Sequence, residues 1–130
     1  MTPADALAAL EALEDAGRAG GMAAYHGAPR RHLGVMVPEI EALVAAWRAG
    51  TDLEGRLALA AELWDTDVHE ARVAAAKLLT QARIRPEDEG AWRLVASWVP
   101  QFDAWAIADH AAQAGSRRLV ADPRRLDEVE

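Results

Sequence analysis

Residues 68–82 read Val-His-Glu-Ala-Arg-Val-Ala-Ala-Ala-Lys-Leu-Leu-Thr-Gln-Ala, and this stretch sets the fold class. Ala71, Ala75, Leu78, Leu79 and Ala82 recur in steps that keep them on one face of an α-helix. Alanine has the best intrinsic helix propensity, and neither glycine nor proline interrupts the run. Asp65-Thr66-Asp67 just before it makes a tight turn rich in capping side chains. A helix is therefore predicted over 68–82.

The same period continues on both sides. Upstream, 53–64 places Leu57, Ala60, Ala61 and Trp64 on one face. Pro38 starts a helix carrying Ile40, Leu43, Val44 and Trp47, which Gly50 stops. Residues 27–38, with Pro29, Gly34 and Pro38, read as a loop. Thr2-Pro3 is an N-cap followed by proline in the first turn, before Ala6, Leu7, Leu10 and Leu13. Gly17, Gly20 and Gly21 are expected to end that helix, with a short helical segment at 22–25. Downstream, Pro86 opens a helix whose Glu87, Asp88 and Glu89 suit the positive end of the dipole. Its predicted face is Trp92, Val95, Ala96 and Val99, and Pro100 breaks it. A helix over 103–114 ends at Gly115, 116–120 is ambiguous, and Asp122-Pro123 begins a last helix.

No strand is predicted. Helices joined by short turns imply an all-α domain of antiparallel pairs, a bundle or a stack. The pairs 38–49/53–64, 68–82/86–99 and 103–114/123 onward have spacings near those of HEAT repeats, so a HEAT-like α-solenoid over 1–130 is expected. Asp127, Glu128 and Glu130 would oppose the dipole at a helix C-terminus. The chain therefore reads as the N-terminal part of a longer one.

Composition agrees with this class. The chain has 130 residues, 31 of them alanine, with one Tyr and one Phe, which disfavours β architectures. It lacks cysteine, which excludes disulfides, thiolate metal sites and cysteine nucleophiles. The formal charge of −7 disfavours nonspecific nucleic-acid binding but leaves room for a local basic face. No apolar run is long enough for a membrane span, and the acidic N-terminus is no signal peptide. A cytoplasmic monomer is expected.

The segment Phe102-Asp-Ala-Trp-Ala-Ile-Ala-Asp-His110 is the most informative for chemistry. Ala104, Ile107, Ala108 and Ala111 form a small apolar face suited to close packing. Trp105 and Asp109, four apart, are neighbours on a different stripe, which Phe102 and Gln113 extend. An aromatic ring beside a carboxylate suits a cationic ligand. The plainer alternative is that Trp105 packs on an adjacent helix while Asp109 faces water. Arg18, Arg30 and Arg31 lie in a region without acids between residues 16 and 38, a candidate phosphate-binding loop. Arg117, Arg118, Arg124 and Arg125 form a second basic run, interrupted by Asp122; a solvated surface is the competing reading for both runs. His26, His32, His69 and His110 have no metal-ligand spacing, so no metal site is expected. Glu70 and Arg72 read as dipole compensation plus a surface ion pair. Phosphate-loop, dinucleotide-binding and nucleophile-elbow motifs are absent.

Four stretches in order resemble the AlkD-like DNA glycosylases of the DNA alkylation repair family. They are Met-Ala-Ala-Tyr (22–25); Leu33-Gly34-Val35 followed by Pro38; Leu63-Trp64 with His69-Glu70-Ala71-Arg72; and Asp103-Ala-Trp-Ala-Ile-Ala-Asp109. The resemblance covers nearly the whole chain. It implies a HEAT-like superhelix holding duplex DNA, and excision of N3- and N7-alkylated purines by N-glycosidic hydrolysis without metal or organic cofactor. It implies Asp109 and Trp105 as catalytic residues and Tyr25 on the DNA-facing surface. Arg30, Arg31, Arg117 and Arg118 are the candidate DNA-binding cations. The alternative function is a non-catalytic HEAT-like module binding nucleic acid or protein.

Overall fold

A computed structural model of the chain describes residues 2–27, 30–81, 84, 88–101, 105–125 and 128, and of 105 and 106 the backbone only. The chain is all-α. Its helices are α1 (Pro3–Glu11), α2 (Ala16–His26), α3 (Val37–Ala49), α4 (Leu53–Asp65), α5 (His69–Lys77), α6 (Glu89–Trp98) and α7 (Trp105–Ala121). Tight 3-10 turns occur at Val99–Gln101 and Pro123–Arg125. No strand occurs among the described residues; one isolated bridge joins Arg31 to Val68.

The helix starts follow from side-chain chemistry. Thr2 accepts from the Asp5 amide at 3.1 Å while the Asp5 carboxylate accepts from the Thr2 amide at 3.2 Å, a reciprocal capping box. Asp15 caps α2 through the Arg18 amide at 3.0 Å, and Asp52 caps α4 through Gly55 at 2.8 Å.

Helix α5 is the centre of the molecule: every residue from His69 to Ala76 is buried. Ala71, Ala74, Ala75 and Ala76 let neighbouring backbones approach on several sides. Helices α1, α3, α4 and α7 all pack on it. Helix α5 lies against both α3 and α7, and α4 packs on α6. The most extensive packing between consecutive helices is α4 on α5 and α6 on α7, one helix out of step with the expected pairs. A helix buried all round must be covered on every side, its polar residues by hydrogen-bond partners, and so α5 takes α4 as a partner as well as α3 and α7.

Several expected boundaries move. Gly17, Gly20 and Gly21 lie inside α2 rather than ending a helix. An interior glycine costs only about 1 kcal/mol relative to alanine, which the Asp15 cap partly offsets. The real stop is Gly27, left-handed at φ 66°. Helix α5 ends at Lys77, short of residue 82. There Thr80 Oγ1 and Gln81 Nε2 donate to the Ala76 and Lys77 carbonyls at 2.8 and 3.0 Å. Of the face predicted for this helix, Ala96 and Val99, the latter just past the end of α6, are exposed, while Trp92 and Val95 are buried together with Ala91 and Trp98. Trp98 turns inward because its ring stacks on Trp64 at 4.3 Å and 4°. Helix α7 passes through Gly115 and takes in 116–120, with Ala114 and Arg118 on its buried side. Asp122-Pro123 leads first into a 3-10 turn at Pro123–Arg125; beyond it Glu128 is helical, and the rest of the expected last helix lies outside the described residues. The expected start at Pro86 and Glu87 lies outside the described residues, as do Phe102, Asp103 and Ala104.

Glu70 and Arg72 are not a surface pair. Glu70 is completely buried, and its two carboxylate oxygens accept from the backbone amides of Leu33 at 2.9 Å and Gly34 at 3.0 Å. Arg72 lies over the Trp64 ring at 4.7 Å and donates to the Trp64 carbonyl at 3.1 Å. These bonds tie the 30–36 loop to α5 and α5 to α4.

Candidate functional site

The loop before α3 is where distant parts of the chain meet. Its backbone turns at Gly34, with φ 83°. The Leu33 carbonyl accepts from the Asp15 amide at 2.8 Å, and the Arg31 carbonyl from the His69 amide at 2.9 Å. These bonds set His32 against His69, the first residue of α5. His26, the last residue of α2, completes a stack of three imidazoles. Ring centroids are 4.5 Å apart for His26 and His69, 4.6 Å for His32 and His69, and 5.7 Å for His26 and His32. His32 Nδ1 lies 2.9 Å from the Arg30 carbonyl and donates to it, so in the neutral ring the lone pair is on Nε2. Burial, then the neighbouring His32, pushes His69 down to about 3, so this ring is neutral at pH 7. Burial likewise lowers His26 and His110.

Beside this stack opens a cleft of about 440 Å³ between α2, the loop, the start of α3, α5 and α7. Its wall includes His26, Met36, His69, Asp109, His110 and Gln113. Asp109 lies in the second turn of α7 with its carboxylate exposed. Trp105 opens α7, four residues before Asp109 and on the same helix face; its side chain lies outside the described residues. Tyr25 is 72% exposed and presents its ring edge-on to His26 at 5.3 Å.

The candidate cations divide. Arg117 is exposed. Arg31 is half-exposed and pairs with Glu11 at 3.0 Å and Glu14 at 3.6 Å. The Arg30 side chain is enclosed, with Nε 3.1 Å from Asp67. Arg118 is wholly buried, bonded to Asp88 at 3.2 Å and to the Gln81 carbonyl. Arg125 is buried with it, on Asp88 at 2.7 Å and Glu89 at 3.0 Å. Guanidinium groups consumed by internal acceptors, such as Arg118, are structural and do not face a phosphate.

The Asp88 carboxyl is held below the usual range, first by its hydrogen bonds from Arg125, then by the charges of Arg125 and Arg118. A folded-state value below the unfolded one, about 3.9, means its contribution is full above that pH and fades as pH falls through the folded value. Asp88→Asn should therefore lower the urea midpoint clearly at pH 7, with the gap to the parent protein narrowing below about pH 4. A gap that is constant from pH 7 to pH 3 would remove the ion pairs from this account.

Sequence reasoning missed the histidine stack and the burial of Glu70. Residues 26, 32 and 69 have no regular spacing; only the docking of loop on helix unites them. Residues 6–130 match the family model described as DNA alkylation repair enzyme. Neither a curated protein nor a solved structure gives a significant match.

Proposed function

The chain belongs to the DNA alkylation repair enzyme family, and from that premise we propose that it excises N3- and N7-alkylated purines from duplex DNA. The observation that carries this reading is an exposed Asp109 on the wall of an open cleft, on the helix face it shares with Trp105. An N3- or N7-alkylpurine is cationic and leaves as a neutral base when its bond to C1′ breaks. The sugar then carries oxocarbenium character. The Asp109 carboxylate faces that charge, orients the attacking water and takes its proton. Trp105 supplies an aromatic face for the lesion nucleotide. Tyr25, Arg31 and Arg117 supply the exposed DNA-facing groups. The packing of α5 on α3 and α7, and of α4 on α6, fits a HEAT-like superhelix presenting one such face.

The test is base release from duplex containing N7-methylguanine under single-turnover conditions. Asp109→Asn is expected to slow release by about 10²- to 10³-fold, the usual cost of removing one electrostatic stabiliser. Because Asp109 is exposed, the variant should keep the parent melting temperature. Release that is unchanged by Asp109→Asn overturns the assignment. Salt-dependent binding of the duplex with no release would instead identify a non-catalytic binding module.

A further inference from the structure

We propose that His26, His32 and His69 form a binding site for one first-row divalent metal ion of the zinc type, with a further coordination position open to the cleft. One imidazole nitrogen from each residue falls in a group spanning no more than 4.8 Å. The three come from separate elements, the end of α2, the loop and the start of α5, so their convergence is a product of the tertiary fold. His32 and His69 are 7% and 3% exposed. His32 Nε2 and His69 Nδ1 are buried without a hydrogen-bond partner. Buried polar atoms are normally satisfied, and two such atoms in one cluster point to an absent ligand.

The chemistry of the donors selects the ligand. Neutral imidazoles present lone pairs and suit zinc, copper or nickel, whereas calcium and magnesium require oxygen. His32 also has the outer bond that metal-binding histidines make: its Nδ1–H donates to the Arg30 carbonyl at 2.9 Å, which aims Nε2 inward. The rings are nearly parallel, inclined at 13° to 24°. Zinc sits about 2.0–2.1 Å from each nitrogen, so loading requires the rings to rotate until the nitrogens are no more than about 4.2 Å apart. His26, half-exposed at the end of α2, is the ring that would make that movement. Three histidines leave zinc a fourth position, which here opens toward the cleft walled by His26 and His69. The zinc titration reads this site without base excision, so failure here and failure of the proposed excision are distinguishable.

The experiment uses the full chain without an affinity tag, stripped with a chelator and titrated with zinc chloride in a calorimeter. One zinc per chain is expected, with a rise in melting temperature. Cobalt at the same stoichiometry should give the visible bands of a four-coordinate ion. His26→Gln should weaken zinc binding by about 100-fold or more while leaving the metal-free melting temperature unchanged. His110→Gln, on the same cleft but outside the cluster of three, should leave zinc binding intact. Weak binding of several equivalents, or tight binding that survives His26→Gln, would overturn the site. The half-exposed His26 keeps the test decisive even where replacing the buried His69 prevents folding.

Discussion

Glu70→Gln is expected to destabilise the protein by about 2–4 kcal/mol, although the side chain keeps its size and shape. Glu70 has no exposed surface, and each oxygen accepts one backbone N–H, from Leu33 and from Gly34. An amide supplies one oxygen and one NH2. Whichever way it is turned, a donor then faces a donor, and one buried N–H loses its partner. Water has no access to replace it. The loss should lower the urea midpoint and the melting temperature, the latter by roughly 10 °C for a domain of this size. It should also loosen 30–36 first, seen as faster amide exchange at Leu33 and Gly34 than in α4. A Glu70→Gln variant as stable as the parent would mean that these two bonds contribute nothing net.

Gly34→Ala should cost a comparable or larger amount, roughly 2–5 kcal/mol from left-handed strain together with overpacking. Gly34 has φ 83°, and a Cβ there would stand 2.3 Å from the Asp15 carbonyl oxygen and 2.8 Å from the Ala19 amide nitrogen. Both are backbone atoms at the start of α2 and have no rotamer by which to yield. Two other glycines separate the causes. Gly27 is left-handed at φ 66° but has open space around its Cβ position, so Gly27→Ala should cost only about 1–2 kcal/mol. Gly20 lies inside α2 with nothing near it, so Gly20→Ala should stabilise by about 0.5–1 kcal/mol. Denaturant midpoints of the three variants should follow that order. Equal effects at Gly34 and Gly27 would show that the close approach of α2 to the loop carries no energy.

The helices were legible because periodicity and capping are local. Ile40, Val44 and Trp47 are spaced for burial and are buried, and Gly50 caps α3 where a stop is predicted. Thr2 and Pro3 begin α1 for reasons visible in five residues. Local signals mislead where a distant partner overrides them. Gly115 looks like a stop, yet α7 runs on to place Arg118 on Asp88. Val99 looks like a core residue, yet Trp98 takes the inward place because Trp64 is there to stack on it.

The site divides in the same way. Trp105 and Asp109 are legible as a pair because four residues on a helix make neighbours. Arg118 reads in the sequence as a surface cation because an arginine run carries no mark of burial; its acceptors Asp88 and Gln81 are 30 and 37 residues away. No spacing joins His26, His32 and His69 either. The chain itself therefore determined the all-α class, most helix starts and the Trp-x-x-x-Asp face, since these depend on interactions within a few turns. Tertiary packing settled which helix is central, which arginines are consumed internally and where three histidines meet, because burial and hydrogen bonding across tens of residues exist only once the helices dock.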